Sequence, residues 1–242
     1  MASAVAALSV LECGGDGPLV AIPRPEAHIV ARFGSSASGV DVHALGARDQ
    51  AHRKHIRRGQ RAVTARLRLG AHEAVLGVPA PEIAGRIVAL GDLWGEAAAR
   101  RLRERLAASR STAEAVAILD AAICERVALS AARREPAQLG LVAADRLSTA
   151  SVNAVAVELG VSERHLRRVF REAVGMSPKT FARLSRFHRA LRAARREAHP
   201  RWASIAALAG YYDQAHLIAE FRAITGVTPR VLLRELQASA VS

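Results

Sequence analysis

Between residues 152 and 170 the apolar positions fall at helical intervals, in two short sets separated by a glycine. Val152, Val155, Ala156 and Leu159 share one face of a first helix, which Ser151 can cap. Gly160 supplies a left-handed turn residue, and Ser162 caps a second helix with Leu166, Val169 and Phe170 on its inner side. Arg164, Arg167 and Arg168 project from the opposite side. The pattern predicts two helices across a tight turn, apolar behind and basic in front. Alone, it fits an amphipathic helix with a solvated basic face as well as a helix seated in a DNA major groove, where Arg can donate two hydrogen bonds to guanine.

The same pattern returns some fifty residues later. Ile205-Ala206 answers Val155-Ala156, and Gly210 answers Gly160, both at an offset of 50. After the turn the offset becomes 51: His165-Leu166 recurs as His216-Leu217, Phe170-Arg171 as Phe221-Arg222, Gly175 as Gly226, and Ser177-Pro178 as Thr228-Pro229. The single inserted residue falls in the turn, where the chain tolerates it best. Repetition of this kind marks a duplicated supersecondary unit, here a helix-turn-helix. Ser177 and Pro178 open a further helix to about Arg196, which would hold the two units in fixed relation.

Upstream the period changes. Residues 18–76 read as β-rich, with short runs at 26–33 and 40–45. The run 62–69 alternates, placing Val63, Ala65, Leu67 and Leu69 inward and Thr64, Arg66 and Arg68 outward. The intervening 47–61 is polar (His52, Arg53, Lys54, His55, Arg57, Arg58) and predicts a loop or ragged helix. From Val78 the pattern turns helical. Pro81 suits the start of a short helix ending near Gly85, and Asp92 can cap one through about Ala108 with Leu93, Ala97, Leu102 and Leu106 inside. Ser111 and Glu114 form a capping box for a helix to about Ser130, with Val116, Leu119, Ile123 and Val127 inside, and residues 138–147 predict one more helix. The expected class is α+β. A small β-rich N-terminal sensor domain with a helical extension covers 1–109, a helical connector or dimerisation segment covers 110–147, and an all-α tandem helix-turn-helix domain covers 148–242.

The tract from about Ser151 to Arg234 resembles the tandem helix-turn-helix DNA-binding domain of AraC/XylS-type bacterial transcriptional regulators. The matching residues are Leu166 to Phe170, Gly175 to Pro178, Arg186, Ala190, Ile205-Ala206, Gly210-Tyr211, His216, Phe221, Gly226 and Thr228-Pro229. More weakly, residues 70–95 are similar to the sensor region of one subset of these regulators. The resemblance implies two recognition helices in adjacent major-groove segments of double-stranded DNA, under control of the N-terminal domain. It also implies as partners RNA polymerase, a small-molecule effector and a second copy of the chain. The residues it brings to DNA are Arg164, Arg167, Arg168 and Arg171 in the first unit, and Gln214, Ala215, His216, Ile218 and Arg222 in the second. The units differ as readers, because Arg164, Arg167 and Arg168 align with Ala215, Ile218 and Ala219. Ala219 departs from the family's usual polar residue, and Ile218 is either a methyl contact to thymine or a core residue.

Charge agrees with a polyanionic partner. The net charge is +13, and residues 146–242 hold 16 Lys and Arg against seven Asp and Glu. Half the residues are apolar, enough for a sizeable core. Two cysteines, Cys13 and Cys124, make neither a disulfide framework nor a metal site. The apolar N-terminal eleven residues lack the basic segment of a signal peptide, and no run approaches a membrane span, so a cytoplasmic protein is expected. No cofactor or membrane partner is expected. His52-x-x-His55 lacks a third metal ligand, and no phosphate-binding glycine loop or nucleophile elbow occurs, so no enzyme is expected. Two alternatives share the same reader. One is a DNA-repair alkyltransferase, which needs a Pro-Cys-His setting that neither cysteine has; the other is a non-specific nucleoid-binding protein.

Overall fold

A computed structural model describes residues 4–34, 39–130 and 138–241. Seven strands occupy the first 90 residues: β1 (Val5–Glu12), β2 (Gly17–Ala21), β3 (His28–Phe33), β4 (Val40–Leu45), β5 (His52–Ile56), β6 (Arg61–Leu67) and β7 (Ile87–Ala89). Five form an antiparallel sheet in the order β1-β6-β3-β4-β7, and β2 pairs with β5 in a separate ribbon. The alternation in β6 holds, with Val63, Ala65 and Leu67 fully buried. Register aligns Val63 with Ala31 and Ala65 with Ile29, so the buried face is apolar across the middle of these strands.

That face is covered by α1 (His72–Leu76), α3 (Leu90–Trp94), α4 (Glu96–Ala107) and α5 (Thr112–Leu129), which together form the first core. The Trp94 indole N–H donates to the Val75 carbonyl at 2.8 Å, which satisfies the one polar atom of that ring. Ser111 caps α5 by accepting from the Glu114 N–H at 3.1 Å, and Leu119 and Ile123 are fully buried on its inner face.

The second core collects α6 (Gln138–Leu147), α7 (Val152–Glu158), α8 (Glu163–Val174), α9 (Pro178–Ala194), α10 (Trp202–Ala209), α11 (Gln214–Thr225) and α12 (Pro229–Val241). It also takes in Val20 and Ala47 from the β-rich part. The segment 110–147 is divided by its packing, since α5 joins the first core and α6 the second.

Four local expectations are corrected. Residues 47–61 contain β5 rather than a loop or ragged helix: four of its five side chains are exposed, and backbone pairing with β2 makes the strand without a buried face. His72 opens α1, where it is buried, so the β-rich stretch ends before residue 76. Strand β7 interrupts the helical stretch after α2 (Ala80–Ile83) by pairing with β4. The helix expected from Asp92 to Ala108 is broken at Gly95, whose φ of 82° is open to glycine, and Asp92 makes no cap. Within α4, Ala99 rather than Ala97 faces inward with Leu102 and Leu106, at i, i+3, i+7 spacing.

Candidate nucleic-acid interface

The two helix-turn-helix units repeat down to single hydrogen bonds. In the first, the Gly160 N–H donates to the Val157 carbonyl at 3.1 Å and the Val161 N–H to the Ala156 carbonyl at 3.0 Å. In the second, Gly210 donates to Ala207 at 3.1 Å and Tyr211 to Ala206 at 2.9 Å. Both glycines have positive φ, 66° and 80°, which closes the first helix and turns the chain. Ser162 then caps α8 by accepting from the His165 N–H at 3.2 Å, and Asp213 caps α11 by accepting from His216 at 2.7 Å. The offset of 51 places Asp213 on Ser162, so the repeat extends to the two caps. Ser162→Ala should lower stability by about 1 kcal/mol in urea unfolding, whereas Ser162→Asp should retain it.

Aromatic packing from α9 ties the units together. Phe181 meets Phe170 of the first unit edge-on at 5.3 Å, and Phe187 meets Phe221 of the second at 4.7 Å. Arg183 adds an ion pair to Glu220 at 2.7 Å. One helix thereby grips the back of both α8 and α11.

On the front of α8, Arg164, Arg167, Arg168 and Arg171 are all exposed, opposite the fully buried Leu166 and Phe170. Arg167 pairs with Glu163, and Arg168 pairs with Glu172 at 3.1 Å. Arg164 and Arg171 make no ion pair among the described residues. On α11, Gln214, Ala215, His216, Ala219 and Arg222 are exposed, while Ile218 is partly buried and packs against the core. His216 is engaged by the protein, its ring edge-on to Tyr211 at 5.4 Å. Sequence reasoning passed over Tyr212, the neighbour of the inserted turn position. It is 93% exposed just ahead of α11, where an aromatic side chain has nothing of this protein to pack on.

The β-rich part touches both α8 and α11 at their C-terminal ends. The Ala80 carbonyl lies 3.0 Å from where a Cβ on Gly175 would sit, at the end of α8. At the end of α11 the Ala51 N–H donates to the Ile224 carbonyl at 2.9 Å, and Arg53 donates to the Thr225 carbonyl. Arg53 also pairs with Glu235 of α12 at 2.9 Å. Gly175 and Gly226 are the same position of the repeat, so equivalent helix ends are both contacted, by Ala80 in one unit and by Ala51 and Arg53 in the other.

The remaining candidates do not converge. His52 and His55 are exposed on β5, Cys13 is buried and Cys124 exposed, and both thiols are free. Among the described residues no three His, Cys, Asp or Glu side chains gather to hold a metal, and no helix is long and apolar enough to cross a membrane.

A family model described as a helix-turn-helix domain matches residues 155–235. No curated protein matches the chain. Among solved structures, ToxT from Vibrio cholerae aligns at 10% identity over 95% of this chain and 97% of its own, with a TM-score of 0.46. Wild-type ToxT of the same organism bound to an unsaturated fatty acid aligns at 10% identity over 93% of each chain, with a TM-score of 0.43. ToxT bound to (E)-4-(8-methylnaphthalen-1-yl)but-3-enoic acid aligns at 9% identity over 95% and 97%, with a TM-score of 0.46. The duplicated turns, the two matching caps and the family match over 155–235 identify this part of the chain as a helix-turn-helix domain.

Proposed function

We propose that the protein is a sequence-specific, double-stranded-DNA-binding transcription regulator whose helices α8 and α11 read adjacent major-groove segments. The observation that carries this is the exposed Arg164, Arg167 and Arg168 face, set on a buried apolar back, within one of two copies of the same capped unit. Exposed i,i+4 ion pairs are worth roughly 0–1 kcal/mol, so Arg167 and Arg168 can leave Glu163 and Glu172 for guanine edges at little cost. The same carboxylates repel phosphates and so weaken attraction to arbitrary DNA. The first unit carries most of the base discrimination. The second, with Ala215 and Ala219 in front, mainly positions and clamps.

Residues 1–109 act as the sensor, with 110–147 as connector or dimerisation segment. Their contacts with the ends of α8 and α11 give a route by which an effector or a second copy of the chain biases the reader. RNA polymerase is the further partner of this reading. Alkyl transfer has no support in either cysteine, since Cys13 stands between Glu12 and Gly14 and Cys124 between Ile123 and Glu125.

Genome-wide mapping of bound DNA yields the operator. On it, Arg168→Ala should lose discrimination at one base pair, about 10–100-fold, while Gln214→Ala should weaken binding without relaxing preference. Equal loss of discrimination in both variants removes the division of labour between the units. Binding that bulk DNA competes away at physiological salt would instead mark a nucleoid protein.

A further inference from the structure

A cleft of about 550 Å³ opens between the β-rich domain and α9. Five arginines line it, Arg24 and Arg66 from one side and Arg189, Arg192 and Arg195 from the other, against a single carboxylate, Glu26. Arg66 is neutralised by Glu26 at 2.9 Å, and Arg189 donates to the Ser148 carbonyl. Arg24, Arg192 and Arg195 are left without an ion pair among the described residues. Arg192 and Arg195 have a local reason to be there, because cations favour the last turn of a helix. Arg24 has none: it lies between β2 and β3, is half-buried, and meets the arginines of the other domain across the cleft. Burial, then Arg66, lower its pKa; Glu26 opposes this, and Arg192 and Arg195 lower it further. Like charges gathered in a partly dry cavity favour an anion between them.

The rest of the lining narrows its chemistry. Several forked donors match an oxyanion of more than one charge, since one carboxylate occupies about one guanidinium fork. Hydroxyls of Thr149 and Ser185 and an apolar wall that includes Leu69 and Phe181 complete the cavity, whose volume suits a ligand of nucleotide size. We propose that this cleft binds a small phosphate ester, with its phosphate among Arg24, Arg192 and Arg195. Such a ligand would tie the β-rich domain to the helix that joins the two DNA-reading units. Its regulatory meaning, though not the binding itself, rests on the function proposed above.

The test uses the full chain, calorimetry and thermal melting at constant ionic strength, with adenosine 5′-monophosphate as probe and adenosine, citrate and sodium chloride as comparison arms. The nucleotide alone should bind saturably and raise Tm. Arg24→Gln and Arg192→Gln should weaken its binding at least tenfold while leaving the free protein as stable as before, or more so, because repulsion is relieved. An equal response to adenosine, citrate or chloride overturns the assignment, as does no response to the nucleotide or an unchanged affinity in both variants. Affinity for the mapped operator is read on the same samples. Operator binding without nucleotide binding sinks the cleft alone, and nucleotide binding without operator binding sinks only the DNA-reading function. A loss of operator affinity in the variants without nucleotide identifies the cleft as a DNA-backbone contact and overturns the proposal.

Discussion

Phe221→Ala is expected to destabilise the C-terminal domain by about 3–5 kcal/mol, seen as a large drop in the urea midpoint, and to abolish operator binding at physiological temperature. Phe221 is fully buried and is the point where α11 meets both Phe187 on α9, at 4.7 Å, and Trp202 on α10, at 6.4 Å. Removing the ring leaves a cavity that three helices line, and none can close it without moving another. Phe221→Leu keeps much of the volume and should cost about 1–2 kcal/mol, retaining DNA binding. A cost below about 1 kcal/mol for the alanine variant would show that α11 is not anchored through this ring.

Acid should unfold the protein through three histidines. Burial pushes His28, His72 and His188 down to about 4 from an ordinary 6.5, with neighbouring arginines adding to the effect at His28 and His188. The folded state keeps these imidazoles neutral, whereas the unfolded chain protonates them near pH 6.5. Between those values the unfolded state binds more protons, so stability is complete above about pH 6.5 and falls as the pH drops toward 4. Each histidine contributes up to about 3 kcal/mol to that loss. His72 is the cleanest probe, because it is 7% exposed and burial alone accounts for its shift. Urea unfolding from pH 7.5 to 4.5 should show a shallower decline for His72→Leu than for the wild type. Parallel curves would mean that His72 titrates alike in both states.

The C-terminal half was legible because its signals are local and occur twice. Ser151, Gly160 and Ser162 each act on residues within one turn, and the offset of Gly210, Leu217 and Phe221 from Gly160, Leu166 and Phe170 repeats the pattern. The exposure of Arg164, Arg167 and Arg168 follows from helix geometry alone. The β-rich half was legible only where one face is buried, as in β4 and β6. Strand β5 carries no alternation, since its partner β2 supplies backbone hydrogen bonds and little cover, so no side-chain period records it. Strand β7, three residues long, is likewise set by its partner β4. The cleft was illegible for a different reason. Arg24 and Arg192 are far apart in sequence, and only the docking of two cores brings their charges together.

The paired footholds at Gly175 and Gly226 have a mechanical consequence. A body resting on matching points of two levers, themselves bolted to one crossbar in α9, can tilt both together but cannot spread them apart. On the function proposed above, a signal from the N-terminal half is therefore expected to act as a joint change of pitch at fixed separation. Operators with one base pair added between the two contacted segments should go unrecognised in every state of the protein.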